Sequence, residues 1–307
     1  GGYITLSDQL MLTAIDNNLM EAISLLSSQA ARTLDTITRE VLAGGTNVQY
    51  AEGKVDLRSE LSYTSEEDND NLTVRAVRMA VRTLKGQNAK KIGTSYVGII
   101  HPDVAFDLMS DPEWKYPHQY KDTTNLYAEE IGEIGGVRFV ETTEAKKFAG
   151  EALASDSLTL TVNGASVTGT KTVPFDGGTV EAGALVGRTV NIGGTVTKVT
   201  ANTDSQLTVE DNVTASDNAV IYPGEGGAEG RDVYATLILG ANAYGVTEIT
   251  GGGLETIVKQ LGSAGTADPL NQRATAGWKA MRTAVRLVEE YLVRVETTST
   301  SNDHIAN

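Results

Sequence analysis

Between residues 151 and 230 the chain changes character. Gly, Thr and Val fall into short alternating runs, and Phe175 and Tyr222 are the aromatics of the stretch. The runs Leu158-Thr159-Leu160-Thr161-Val162, Val190-Asn191-Ile192 and Val196-Thr197-Lys198-Val199 have the period-2 spacing of strands, as do Leu207-Thr208-Val209 and Ala219-Val220-Ile221-Tyr222. Asn163-Gly164 and Gly193-Gly194 read as hairpin turns, whose two central residues need positive φ. Five or six strands of this size predict a small barrel or sandwich. The flanking text is of another kind, with long helical patterns and Arg- and Tyr-bearing strands, and a sheet resumes at Asp232-Val233-Tyr234-Ala235-Thr236-Leu237-Ile238-Leu239. The fold class is therefore α+β: a small all-β module at residues 151–230, inserted into a host built from residues 1–150 and 231–307.

A chain of 307 residues accommodates about two such domains. The inserted block holds ten acids against three bases and so carries about half of the net charge of −15. An acidic chain argues against a nucleic-acid reader, which needs clustered Lys and Arg to displace counterions from phosphate. With no Cys there is neither a disulfide framework nor a thiolate metal site. The longest nearly apolar stretch, 233–246, is shorter than the ~18–20 residues of a membrane helix, so no span is expected. The opening Gly1-Gly2-Tyr3 lacks a basic region before an apolar core; a processed or truncated start without a signal peptide is expected.

Ser7 or Asp8 can cap a helix whose apolar residues Leu12, Ile15, Leu19, Ile23, Leu26, Ala30, Leu34, Ile37 and Val41 recur at helical spacing until Gly44-Gly45 stops it. One helix of ~35 residues would be a strut of roughly 50 Å. The acidic run Glu66-Glu67-Asp68-Asn69-Asp70 reads as an exposed loop before a second helix, about Leu72 to Lys85. There Val74, Val77, Val81 and Leu84 share one face, and Arg75, Arg78, Arg82 and Lys85 share the next. That basic row is either a solvated face or a contact for an acidic neighbour. Strand Tyr96-Val97-Gly98-Ile99-Ile100 leads to a short helix that Asp103 can cap. The following loop carries Trp114, Tyr116, Tyr120 and Tyr127, which serve local packing or a subunit contact. The last residues, 297–307, are polar and read as frayed.

Motifs that carry chemistry are sparse. His101, His118 and His304 lack the partner spacing of a metal site, and no G-x-S-x-G turn accompanies His101 and Asp103. Gly224-Glu225-Gly226-Gly227-Ala228-Glu229-Gly230 has Glu229 where a dinucleotide loop needs its third Gly, and reads as a flexible exit linker. No G-x-x-x-x-G-K-[ST] segment occurs. No catalytic residue, cofactor or metal is therefore assigned.

Four segments together carry a resemblance. They are Tyr96-Val97-Gly98-Ile99-Ile100-His101-Pro102-Asp103-Val104-Ala105-Phe106-Asp107-Leu108; residues 127–142, with Ile134-Gly135-Gly136-Val137-Arg138-Phe139; residues 233–246; and Asp268-Pro269-Leu270-Asn271-Gln272-Arg273 with Gly277-Trp278-Lys279. In this order they resemble phage major capsid proteins of the Hong Kong 97-type fold, in the subgroup that includes the N-four-type podoviruses.

The resemblance implies a long spine helix at about Ser7–Leu42 and a peripheral-domain sheet completed by the final strands. It also implies an axial domain from residues 96–140 and 233–258, with the β-module grafted onto it. An N-terminal arm and extended loop, which clasp neighbours in the family, are expected to be missing ahead of Gly2. The implied function is a structural head protein of a tailed phage or prophage, associating with copies of itself as hexamers and pentamers around double-stranded DNA. DNA would be enclosed without sequence-specific binding, and a weakly phosphate-binding, acidic lining suits a container. Scaffolding, portal or decoration proteins are the further partners implied, with no membrane. The location implied is the virion capsid, assembled in the bacterial host cytoplasm. The alternatives are an encapsulin-type compartment shell, a hydrolase using His101 and Asp103, and a glycan-binding role for the β-module.

Overall fold

The computed structural model describes residues 1–13, 18–114, 132–150, 160–247, 252–263 and 268–305. Its elements run β1 (Gly2–Ser7), α1 (Asp8–Thr13), α2 (Asn18–Ala43), β2 (Val48–Tyr50), α3 (Val74–Gly86), β3 (Tyr96–Ile100), α4 (Pro102–Ser110), β4 (Glu133–Ile134), β5 (Val137–Glu141) and β6 (Lys147–Phe148). Then follow β7 (Leu160–Val162), β8 (Val167–Asp176), β9 (Thr189–Ile192), β10 (Thr195–Asn202), β11 (Gln206–Ala215) and β12 (Val220–Pro223). The chain ends with β13 (Val233–Leu239), β14 (Tyr244–Val246), β15 (Glu255–Lys259), β16 (Arg273–Lys279), β17 (Ala284–Arg286) and β18 (Leu292–Thr297).

Two units form, one of residues 1–44 and 244–287, the other of residues 45–243 and 288–307. In the first, β16 is the central strand between β1 and β15, antiparallel to both. Ala22, Leu26 and Ala30 of α2 lie one turn apart and pack on Leu6, Ala274, Ala276 and Trp278. The alanines let the helix approach the sheet closely. Ser7 caps α1, its Oγ accepting from the Leu10 amide at 3.2 Å. At the other end the Arg286 guanidinium donates to the Val41 carbonyl, where a cation suits the helix C-terminus.

The single strut expected from Ser7 is described in two pieces. The 26 residues of α2 span ~39 Å, and residues 14–17, with Ile15, lie outside the described residues. Its apolar row is not buried throughout, for Leu12 and Ile37 are exposed.

In the second unit seven strands form a sheet, β2-β18-β13-β3-β5-β4, with β6 also on β13. All seven residues of β13 are buried. Both faces are therefore covered, and the strand reads as a nearly continuous apolar run, broken by Thr236, rather than an alternating one. On one side α3 and α4 bring Val77, Val81, Leu84, Val104 and Leu108 against Tyr96, Ile100 and Ile238. On the other, Val233 and Ala235 meet Ala51, Leu61 and Phe148. Fully burying Val77, Val81 or Leu84 contributes roughly 1.5–3 kcal/mol each.

Two strands lie in a different unit from the one expected. β18 pairs with β13 from Tyr234↔Thr297 to Leu239↔Leu292, away from the α2 sheet. β15 pairs with β16 rather than joining β3, β5 and β13. Burial explains both: all six residues of β18 are enclosed, which only a central position allows, whereas β15 exposes four of its five residues and fits an edge.

Strands β7 to β12 close into a barrel in the order β10-β11-β8-β7-β12-β9. Leu160, Val162, Val173, Phe175, Ile192, Leu207 and Ile221 fill it. Gly193 and Gly194, at φ 59° and 85°, make the tight β9–β10 turn. A Cβ on Gly193 would lie 2.1 Å from the Thr214 carbonyl oxygen, so no side chain is tolerated there.

Asn163-Gly164 is not the two-residue hairpin expected. Only Gly164 has positive φ, and Val162 pairs with Phe175 at the far end of β8. The ten-residue β8 was not read from sequence; it serves β11 along most of its length and β7 at its end.

The glycines after the barrel form a close-packed root and not a flexible linker. Gly224, Gly226, Gly227 and Gly230 are buried, and a Cβ on Gly226 would stand 2.0 Å from the Arg231 carbonyl oxygen. The tail also differs from its expected frayed state. Thr297, Thr298 and Ser299 are buried, and the chain stays hydrogen-bonded through Ile305.

Candidate assembly surface and buried polar cluster

Helix α3 is amphipathic by spacing, and the second unit uses both faces. Thr73 caps it, its Oγ1 accepting from the Ala76 amide at 3.1 Å, while Val74, Val77, Val81 and Leu84 turn inward. Arg75, Arg78, Arg82 and Lys85 are consequently all exposed, on one row. Arg75 lies 3.5 Å from Glu52 and Arg78 3.7 Å from Glu113, with both arginine side chains about two-thirds exposed or more. Exposed pairs of this kind contribute at most about 1 kcal/mol, so the row can exchange these partners for others.

Trp114 is only 5% exposed and belongs to the core beside α3 and α4, so it serves packing within the subunit. Tyr116, Tyr120 and Tyr127, with His118, lie outside the described residues. A groove of about 550 Å³ beside the start of α3 is lined by Glu52, Tyr63, Glu66, Arg75, Phe106 and Asp107, among others. The acidic stretch Glu66, Glu67 and Asp68 is exposed on a fixed turn, in which the Asp68 amide donates to the Ser65 carbonyl at 3.2 Å and Asn69 Nδ2 to the Glu66 carbonyl at 2.7 Å.

His101 and Asp103 have a structural explanation. His101, not Asp103, caps α4: its Nδ1 accepts from the Asp103 amide at 3.3 Å, and Pro102 occupies the first helical turn, where no amide is needed. Asp103 instead accepts from the Tyr234 hydroxyl at 2.7 Å. Burial lowers the His101 pKa below 6.5, against the opposing pull of Asp103. Burial, then the hydrogen bond to Asp103, pushes the Tyr234 pKa far above 10. Among the described residues no group of three or more His, Asp or Glu is arranged to hold a metal ion.

Sequence reasoning passed over a buried ion cluster behind these residues. Lys147 and Asp232 are 3% and 0% exposed and pair at 3.1 Å, and Lys147 also bonds Asp303. Lys147 and Asp232, 85 positions apart, give no local signal, but a charged residue beside the mostly apolar β13 run was one.

A sheet covered by helices, a barrel inserted between β6 and β13 and a long helix on a second small sheet make up the scaffold. The chain's fold is similar to the capsid of cyanophage P-SCSP1u, at TM-score 0.53 and 9% identity over 96% of this chain and 70% of that one. It is equally similar to the capsid of Ralstonia phage GP4, at 0.53 and 12% identity over 98% and 74%. The head structure of Helicobacter pylori bacteriophage KHP40 follows at 0.51 and 12% identity over 98% and 75%. No curated protein matches the chain. The family model described as phage capsid protein matches residues 7–260, and the chain belongs to that family. It is a structural capsid protein, of mixed α+β fold with a barrel.

Proposed function

We propose that this is the major head subunit of a tailed phage, which assembles with copies of itself as hexamers and pentamers into an icosahedral shell around double-stranded DNA. Family membership over residues 7–260 is the observation that carries the reading. The subunit acts by association and catalyses no reaction; assembly takes place in the host cytoplasm, with scaffolding, portal or decoration proteins as further partners.

The α3 row Arg75, Arg78, Arg82 and Lys85 is the contact we assign to a neighbouring copy. In a chain of net charge −15, a concentrated basic row attracts the acidic surface of another copy, which steers and registers the encounter. Different patches meeting on successive copies give a head-to-tail contact, the kind that closes into rings. Tyr116, Tyr120 and Tyr127 are also proposed for a subunit contact, since aromatic side chains are enriched at interfaces.

Electron microscopy of the full-length subunit tests the reading. Rings or closed shells are expected; a monodisperse monomer under all assembly conditions overturns it. The double variant Arg82→Glu/Lys85→Glu should fold and yet fail to form rings in sedimentation velocity. Unchanged assembly removes α3 from the interface.

A further inference from the structure

The tail that reads as frayed is instead fastened at one end of the barrel's attachment. Between sheet and barrel the chain passes twice through a narrow root, outward after Gly150 and back through residues 224–232. The root is backbone against backbone: Gly150 pairs with Gly224, and a Cβ on Gly150 would stand 1.7 Å from the Gly230 carbonyl oxygen. Few side chains can pack there, so the root depends on polar contacts.

Asp232 gathers them. Its carboxylate accepts from the Gly150 amide at 2.8 Å, and from the tail amides of Asp303 at 3.1 Å and His304 at 2.9 Å. Lys147 Nζ lies 3.1 Å away and also bonds the Asp303 carboxylate, while the His304 ring stands at 3.6 Å. The Asp232 amide in turn donates to Asn302 Oδ1 at 2.9 Å. A buried carboxylate needs such partners, and removing them carries the desolvation cost of the bare charge. Two of the three backbone amides that satisfy Asp232 belong to the tail.

The rest of the tail is pinned elsewhere. Thr300 donates to Asp107 of α4 through its amide at 3.1 Å and its hydroxyl at 2.8 Å, and the Thr298 amide donates to the Asp70 carbonyl at 3.0 Å. Residues 298–304 thus form a strap from the 62–71 loop over α4 to the root. The side chains at its end, Asp303 and His304, are 49% and 39% exposed, so water reaches this end of the strap while its amides bond the buried Asp232.

We infer that the C-terminal strap is a releasable clamp on the barrel root, with Asp232 as its catch. Releasing the strap frees the root while the barrel and the sheet each keep their own cores, which share no cluster. The clamp gives the subunit a non-covalent means of setting how firmly its barrel is held, whatever shell it builds.

Hydrogen exchange on the full chain tests this, comparing the parent with a deletion of residues 302–307 and with Asn302→Ala/Asp303→Ala. Segments 146–150 and 224–232 should exchange at least about tenfold faster in the deletion and by a smaller factor in the double variant, which keeps the backbone amides of residues 303 and 304 on Asp232, with β3, β18 and the barrel strands β9 to β11 retaining protection. Asp303→Asn keeps the backbone bonds to Asp232 and should give a smaller increase. Unchanged root protection in the deletion overturns the inference. A loss spread equally through β3 and the barrel also overturns it, because the strap would then belong to one cooperative core.

Discussion

Replacing Glu296 with Ala probes the charged centre of the second unit. The carboxylate is fully buried, with Arg58 Nε at 2.7 Å and Nη2 at 2.8 Å on its two oxygens and Arg294 Nε at 2.7 Å. The Arg58 guanidinium also lies 3.4 Å over the Phe148 ring, tying the 58–60 turn to β6 and β18. Removing one member of a buried charged set costs about 3–5 kcal/mol, because the others stay desolvated. Arg58 retains 20% side-chain exposure and can turn to water, and Arg294 still donates to the Gly45 carbonyl at 3.0 Å. The lower end therefore applies, about 3 kcal/mol. At about 2–4 °C per kcal/mol for a unit of this size, Tm should fall by roughly 6–12 °C in a calorimetric or circular-dichroism melt of unassembled protein. The triple variant Arg58→Met/Arg294→Met/Glu296→Leu should recover most of that loss, since apolar groups of similar volume often match a buried ion set. A single-variant loss under about 1 kcal/mol would refute the reasoning, as would a triple variant no more stable than the single.

Other perturbations separate the parts. Gly98→Ala places a Cβ 2.7 Å from the Phe139 ring and 2.9 Å from Val137 Cγ1, and should lower stability by about 1–3 kcal/mol in denaturant titration; a tolerated Ala would contradict the β3–β5 register. Leu207→Ala, at a fully buried barrel position, should cost about 2–5 kcal/mol and strip exchange protection from the barrel alone. If protection in β3 and β13 falls equally, the barrel has no core of its own. Thr73→Ala should cost about 1 kcal/mol through the lost α3 cap, with fraying seen at residues 74–77. For His101, burial holds the folded pKa below 6.5, so its contribution is present above that pH and lost as pH falls and the unfolded chain takes up the proton first. The ring should titrate below 6.5 by NMR, and His101→Gln should flatten the fall in stability there; a midpoint above 6.5 would show that Asp103 outweighs burial.

Local chemistry made much of the fold legible. The 3.6-residue spacing of Val74, Val77, Val81 and Leu84 placed α3 and its exposed basic row, and the Gly193-Gly194 pair placed the β9–β10 turn. The order of the segments around residues 96–108 and 233–246 carried the resemblance to phage capsid proteins, the family to which the chain belongs. Where the text misled, polarity stood in for exposure. Thr297, Thr298 and Ser299 look solvated as letters yet are buried; the Thr298 hydroxyl, for one, donates to Asn71 Oδ1, 227 positions away in sequence. Of the two readings open for Trp114, local packing or a subunit contact, the core position supports the first.

By itself, then, the sequence determined the helices, most of the strands, the inserted β-module and the basic face of α3, because periodicity and turn chemistry act over a few residues. Tertiary structure decided that β18 lies beside β13 and that the glycine stretch is a packed root. It also decided that the tail amides of Asp303 and His304 donate to Asp232. The Lys147–Asp303 contact joins residues 156 positions apart, and whether a buried charge finds its partners depends on the whole packed unit, which no local pattern encodes.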